Sequence, residues 1–300
     1  MKTLGIDIGG TSIKSGIVDG LEILSHSEYK NNYDNIDGFI CKIKEVISNA
    51  KDSEEIKSVG IAFPGFIDSD GIVKSSPNLK YLESQKLYQL LSIKDIDISI
   101  ENDAFLAALA EFKVNPLKEY YFVTLGTGIG SSLIKNNEVV RSKSGCSGEL
   151  GHIVLNYKAA GDDYRSGIFE SYFNNQQFVE KAKSDLKNFP NSILNSIDEF
   201  TAREISDASV LGDDLAIITM MEMGKILGIG LSSVANLTGI PIFVIGGGIS
   251  NLSSLLFDTA LKTMKRRVIP ELRDKIEIKI SKNKNLAGII GAALYTKENR

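Results

Sequence analysis

Three sets of residues in this chain have the types and spacing to do chemistry. The first is "DIGGTSIK", residues 7–14, where an aspartate in a strand-like run leads into two glycines, a threonine and a lysine. Glycine turns after strands let backbone N–H groups approach phosphate oxygens with no Cβ in the way. Two more such turns follow, Gly126-Thr127-Gly128 and Gly246-Gly247-Gly248. A hairpin explains any one of them; three in one chain, two with threonine and one with a lysine close behind, point to phosphate. None has the G-x-x-x-x-G-K-[ST] spacing of a P-loop. "GTGIG" also lacks the spacing and the following helix of a dinucleotide site.

The second set is Asn102-Asp103, between a strand and an alanine-rich helix. Either residue suits the helix N-cap. A carboxylate there can also accept a proton from a substrate hydroxyl, because a helix N-terminus favours its ionised form. The two roles are compatible. The third set is "GELGHI" (148–153), with Glu149 and His152 three residues apart in a glycine-bounded stretch. A lone histidine is more often structural, but beside a glutamate and two glycines it suits hydrogen bonding to a polyol. Glu170, in "GIFESYF", reads equally well as a solvated helix residue, and His26 as surface.

These groups need a scaffold. Leu4, Ile6 and Ile8 alternate with Gly5, Asp7 and Gly9, so one face of the first strand is core and the other bare backbone. Bare backbone in a strand marks the close approach of a ligand or another chain. Residues 2–8 and 13–18 read as two strands around a Gly-Gly turn, and 35–50 as an amphipathic helix. A strand at 58–65, a strand at 96–103 and a helix at 104–112 follow. Near residue 115 the pattern restarts: 120–140 is again strand, glycine turn, strand, which suggests two similar halves. A loop runs from 145, with helix from about Phe169; 176–235 is mostly helical, 241–250 is strand into turn, and 286–298 a last helix. The fold class is α/β, with helices covering sheets.

At 300 residues the chain has room for two domains, burying about 75% of its unfolded surface. A net charge of -4 gives no electrostatic footprint for nucleic acid or an anionic membrane. Cys41 and Cys146 are too few for a disulfide framework and fit a reducing cytoplasm. The first residues lead directly into a strand, with no signal peptide expected ahead of it. Residues 226–257 carry no charge, but serines, Asn236, Pro241 and the glycines of 246–248 break them into a buried helix, strand and turn rather than a membrane span.

Together these residues resemble the ROK family of sugar kinases, within the actin, hexokinase and heat-shock ATPase superfamily. The likeness is carried by "DIGGTSIK", "PGFID", "SPNL", "ENDAFLAALAE", "LGTGIG", "SGCSGELGHI", "FESY" and "VIGGGIS" in that order and spacing. It implies two ribonuclease-H-like (actin-like ATPase) domains with a nucleotide and sugar cleft between them. The expected division is 1–115, with the helix of 286–300 packed back on it, and 116–285. It implies ATP and Mg²⁺ as cofactors and γ-phosphoryl transfer to the 6-hydroxyl of a hexose. By the same likeness, Asp7 with Gly9, Gly10, Thr11 and Lys14 takes the magnesium–phosphate end of ATP. Gly126, Thr127 and Gly128 hold phosphates, and Gly247 and Gly248 the adenosine. Asp103 is the catalytic base, and Gly65, Asn78, Asn102, Asp103, Glu149, His152 and Glu170 contact the sugar. The bare face of the first strand then leaves room for the triphosphate.

Many members carry a C-x-C-G-x-x-G-C element after the histidine that binds zinc with it. Here the interval reads "IVLNYKAAGDDYRSGIFE", with no cysteine, and no zinc is expected. "SPNL" and "ENDA" look most like the family's glucokinases, so glucose is the expected acceptor and N-acetylmannosamine the runner-up. The family also contains repressors, which carry a helix-turn-helix ahead of the kinase-like body. Asp7 lies too near the first residue to leave room for one. A non-catalytic sugar-responsive module is a further alternative, against which Asp7, Lys14 and Asp103 stand together. The family suggests a homodimer or homotetramer in the cytoplasm.

Overall fold

The computed structural model describes residues 2–298 apart from 69, 77, 137, 142–147, 160, 284 and 285. Cys146, the head of the 144–153 motif and Pro77 of the 76–79 motif therefore lie outside the described residues. Residues 3–114 run through β1 (Thr3–Ile8), β2 (Ser12–Asp19), β3 (Glu22–Lys30), α1 (Ile36–Ser53), β4 (Ser58–Phe63), β5 (Phe66–Ile67), β6 (Val73–Ser75), α2 (Leu87–Leu91), β7 (Asp97–Asn102) and α3 (Asp103–Val114). The chain continues through β8 (Tyr120–Leu125), β9 (Ile129–Lys135), β10 (Glu138–Val139), α4 (Asn175–Asp185), α5 (Ala202–Val210) and α6 (Asp214–Thr238). It ends with β11 (Ile242–Gly246), α7 (Ser254–Arg267), α8 (Pro270–Arg273), β12 (Glu277–Ile280) and α9 (Ala287–Glu298).

Two units divide these elements. Unit 1 comprises residues 1–117, 134–147 and 285–300; unit 2 comprises 118–133 and 148–284. One five-stranded sheet has the order β3-β2-β1-β4-β7 and the other β10-β9-β8-β11-β12. In each, the third, second and first strands of a repeat are followed by two that return after helices. The duplication expected from the recurring strand–turn–strand pattern is thus present in the topology.

In unit 1, β1, β4 and β7 are parallel neighbours, while β2 and β3 add on antiparallel. Leu4, Ile6 and Ile8 enter a core shared with Phe39, Ile43 and Ile47 of α1. That helix starts where the Asn35 side chain accepts from the Gly38 N–H at 2.9 Å. The other face of β1 corrects an expectation. Its glycines do not leave that face open, because α9 lies on it: a Cβ on Gly5 would overlap the carbonyl of Ile289, and one on Gly60 that of Ala292. Gly291 of α9 lies equally close to the Leu106 backbone of α3, whose Ala104, Ala107, Ala108 and Ala110 are buried. The glycines and alanines make a three-layer contact with backbone against backbone.

In unit 2, β11 lies parallel between β8 and β12. The 25-residue α6 is capped by Asp213, which accepts from the Ala216 N–H at 2.9 Å, and ends at Gly239 with φ 74°. It is long and apolar enough to span a membrane, yet most of it is buried. Gly224 and Gly228 let α7 approach its backbone, and Gly230 faces the Phe169 ring. That is the setting of a core helix. Phe169 itself lies in a single 3-10 turn (Phe169–Ser171) rather than a helix, and α4 begins only after its Asn174 cap.

Candidate active site

Asp7 sits near the carboxyl end of β1. The antiparallel register places Lys14 of β2 directly opposite it, and Glu28 of β3 opposite Lys14. Burial raises the Asp7 carboxyl from 3.8 to about 6; Lys14 opposes the shift and Glu28 adds to it. The turn that follows is pinned by three bonds. Gly9 N–H donates to Ser12 O at 2.8 Å, the Asn31 side chain to Gly9 O at 2.7 Å, and Asn31 N–H to Thr11 O at 2.9 Å. Thr11 is exposed at the tip. Gly10 faces Asn78, whose side-chain atoms would lie 3.1 Å from a Cβ there. Asn78, expected at the sugar, thus borders the Gly9-Gly10 turn expected at the phosphates.

The ends of β4 and β7 meet because Phe63 pairs with Asn102 in the parallel register. Asn102 donates from Nδ2 to Gly65 O at 3.3 Å and accepts at Oδ1 from Phe105 N–H at 3.0 Å. Asn102 therefore caps α3. Asp103, half-buried in the first turn, accepts from Ala104 N–H at 2.8 Å. Glu101 braces the pair from behind: Oε1 accepts from Asn102 N–H at 2.8 Å, while Oε2 takes the Arg141 guanidinium and the Tyr295 hydroxyl. Arg141 also lies over the Phe105 ring, 4.0 Å from its centre. Unit 1 thus gathers Asp7, Gly9, Gly10, Thr11, Lys14, Gly65, Asn78, Asn102 and Asp103 at the carboxyl ends of three adjacent strands, where open α/β sheets bind ligands.

Unit 2 repeats the arrangement. The turn of Gly126, Thr127 and Gly128 leaves β8 and that of Gly247 and Gly248 leaves β11, its parallel neighbour. Gly126 N–H donates to Gly128 O at 3.1 Å, and Gly126 O accepts from Asn175 N–H at 2.9 Å. At Gly247, with φ 80°, a side chain would overlap the Leu125 backbone; around Gly248 there is open space. Glu170 reaches into the first turn. Its Oε2 accepts from Ile129 N–H at 2.8 Å and would lie 2.5 Å from a Cβ on Gly128, while Oε1 receives Arg165 at 3.1 Å. Glu149 and His152 stand beside it. Loss of water around Glu149 raises its carboxyl, His152 lowers it and Glu170 raises it further. His152 is exposed, with its ring stacked on Tyr164 at 5.9 Å and 7°.

Five residues here escaped the sequence reading: Asn31, Glu101, Arg141, Tyr164 and Arg165. Only Glu101 had a signal, its place directly before Asn102-Asp103. Among the described residues no three His, Cys, Asp or Glu side chains form a metal-holding group. Among the described residues His152 has Glu149 and Tyr164 for neighbours and no thiolate, a donor set that does not fit zinc.

The arrangement offers one glycine turn in unit 1 and two in unit 2 for anions, and one carboxylate at a helix N-terminus for a hydroxyl proton. The chain is similar to known proteins along nearly its whole length. A glucokinase of Streptomyces coelicolor is 27% identical over 310 residues, covering 99% of this chain and 98% of its own. An N-acetyl-D-glucosamine kinase of Haemophilus influenzae is 26% identical, covering 96% and 97%. The crystal structure of a ROK family glucokinase from Streptomyces griseus in complex with glucose and AMPPNP superposes with a TM-score of 0.88. Its sequence is 27% identical, over 99% of this chain and 100% of that one. The fold is accordingly the two-unit actin-like ATPase fold. The ROK family model matches residues 3–299, and the chain belongs to that family.

Proposed function

We propose that this ROK sugar kinase transfers the γ-phosphoryl group of ATP to the 6-hydroxyl of glucose. One observation carries the reading: the Asp103 carboxylate stands in the first turn of α3 beside the capping Asn102, where the helix N-terminus favours the ionised form that can accept a hydroxyl proton. Gly65, Asn78, Asn102, Glu149, His152 and Glu170 are read as the sugar contacts from their match to the family's motifs. Asp7, Gly9, Gly10, Thr11 and Lys14 serve the phosphates from unit 1. Gly126, Thr127 and Gly128 do so from unit 2, with Gly247 and Gly248 at the adenosine.

Asp7 fits Mg²⁺, since its carboxyl is pushed up by burial and a cation beside it would offset that cost. Magnesium needs only one or two carboxylates when phosphates and waters supply the rest. Bound there, it would neutralise charge on the transferring group. The residues then have to position and to stabilise charge, which suffices for phosphoryl transfer. The same reading places the enzyme in the cytoplasm as a homodimer or homotetramer.

ADP release measured over a panel of hexoses and N-acetylhexosamines tests the proposal. Glucose should give the highest kcat/KM, with N-acetylmannosamine the second candidate, supported by the N-acetylhexosamine kinase among the relatives. Rates that stay flat across the panel would overturn transfer in favour of a sugar-responsive regulator.

A further inference from the structure

The loop between His152 and Glu170 is closed at its neck by main-chain bonds. Val154 and Ile168 form a β-bridge across its neck. Gly167 O accepts from both Leu155 N–H, at 2.9 Å, and Asn156 N–H, at 3.0 Å; Phe169 N–H donates to Ile153 O at 2.8 Å. At the far side, Arg165 is fixed by its backbone. Its N–H donates to Asp163 Oδ1 at 2.9 Å, and its carbonyl accepts from Ser171 Oγ at 2.7 Å. From this anchored stretch two neighbouring side chains reach two different acceptor-side residues. The Tyr164 ring lies parallel to that of His152, and the Arg165 guanidinium donates to Glu170 Oε1. Glu170 is held at its other oxygen by Ile129 N–H.

Tyr164 is 72% exposed, so burial does not account for where its ring lies. What it stacks on is the exposed imidazole of His152. Arg165 removes the remaining freedom of a carboxylate already tied at one end. Side chains fixed before a ligand arrives lose less entropy when it binds.

We propose that Tyr164 and Arg165 are positioning residues of the acceptor side, setting His152 and Glu170 for the sugar and so determining acceptor selectivity. The inference rests on the reading of His152 and Glu170 as sugar contacts. A ring stack of this kind corresponds to about a 3- to 10-fold change in an equilibrium constant.

The test uses the full-length enzyme and steady-state kinetics with glucose, N-acetylglucosamine and N-acetylmannosamine. Tyr164→Ala should raise the acceptor KM by about 3- to 10-fold with the KM for ATP unchanged, and Tyr164→Phe should restore it. Arg165→Gln should lower acceptor kcat/KM by about 10-fold and change the ratio between glucose and the N-acetylhexosamines. Arg165→Lys should recover part of that loss. His152→Ala separates the two levels of the argument. If it leaves acceptor KM unchanged, the sugar-contact reading falls and this inference with it. If it raises acceptor KM while Tyr164→Ala and Arg165→Gln only lower the melting temperature, the positioning role alone is overturned.

Discussion

Gly288, in the first turn of α9, stands against the carboxylate of Asp7: a Cβ on it would come within 2.5 Å of Cγ and 2.6 and 2.8 Å of the two oxygens. Only glycine lets the helix N-terminus approach this acid so closely. Gly288→Ala must therefore move either the helix or Asp7. We expect kcat/KM for ATP to fall at least about 10-fold, since misplacement of about an ångström at a reacting site costs more than that. Initial rates over an ATP series check it; wild-type kinetics would show that Asp7 does not need this contact.

Asp7 also makes stability depend on pH with a definite sign. Its carboxyl is raised in the folded protein to about 6 from 3.8, so the folded state holds the proton more tightly. The contribution is favourable at low pH and is lost as pH rises from about 4 through 6. Asp7→Asn should therefore melt higher than wild type at pH 8, by the equivalent of up to about 3 kcal/mol, and the difference should close near pH 4. On the proposed role of Asp7 at the metal–phosphate end, activity should move the other way, because an asparagine cannot serve there. Melting curves and rates on the same two proteins separate the effects.

At α3 the cap and the proposed base are different residues, so they can be removed separately. Asp103→Asn keeps the Asn102 cap and should leave the melting temperature nearly unchanged while lowering kcat by about 10²–10⁴. Asn102→Ala removes both the cap and the bond to Gly65 and should destabilise by about 1–2 kcal/mol. Near wild-type turnover in Asp103→Asn would remove the base assignment.

The glycines divide by what surrounds them. Gly60 and Gly291 meet backbone, so alanine at either should destabilise unit 1 by about 3 kcal/mol or more. Gly126 and Gly248 face open space within 4 Å. Alanine there should cost less than about 1 kcal/mol of stability yet weaken nucleotide binding. Calorimetry paired with a nucleotide titration distinguishes the classes.

Because Gly167 O and the Val154–Ile168 bridge close the loop after His152, metal removal has a simple expected outcome. Protein dialysed against a strong chelator and returned to Mg²⁺ should keep its turnover and its melting temperature. A loss that only zinc restores would refute the metal-free reading of this loop.

The strand-and-turn frame was legible because its signals are local. Leu4, Ile6 and Ile8 alternate, Gly9-Gly10 turn, and the same pattern returns at 120–140. The edge strands β3 and β12 gave little signal, since both are mostly exposed, β3 carries polar residues on both faces and β12 is only four residues long. Gly5 was read correctly as a site of close approach and wrongly as room for a ligand. A missing Cβ says that something comes near; it does not say what. The brace of Glu101 by Arg141 joins positions 40 residues apart, and no spacing rule links them. Asn102 and Asp103 were equally good caps on paper, and only the register of β7 with β4 decides which of them turns to Gly65.

The seating of α9 on β1 bears on how the protein is made. The opening strand leaves the ribosome with a face that stays unclad until almost the whole polypeptide has followed, about 15–60 s later at ordinary elongation rates. The 118–133 and 148–284 segments of unit 2 are all synthesised before that moment. The face of β1 that α9 covers therefore has no partner until residues 287–298 have been made.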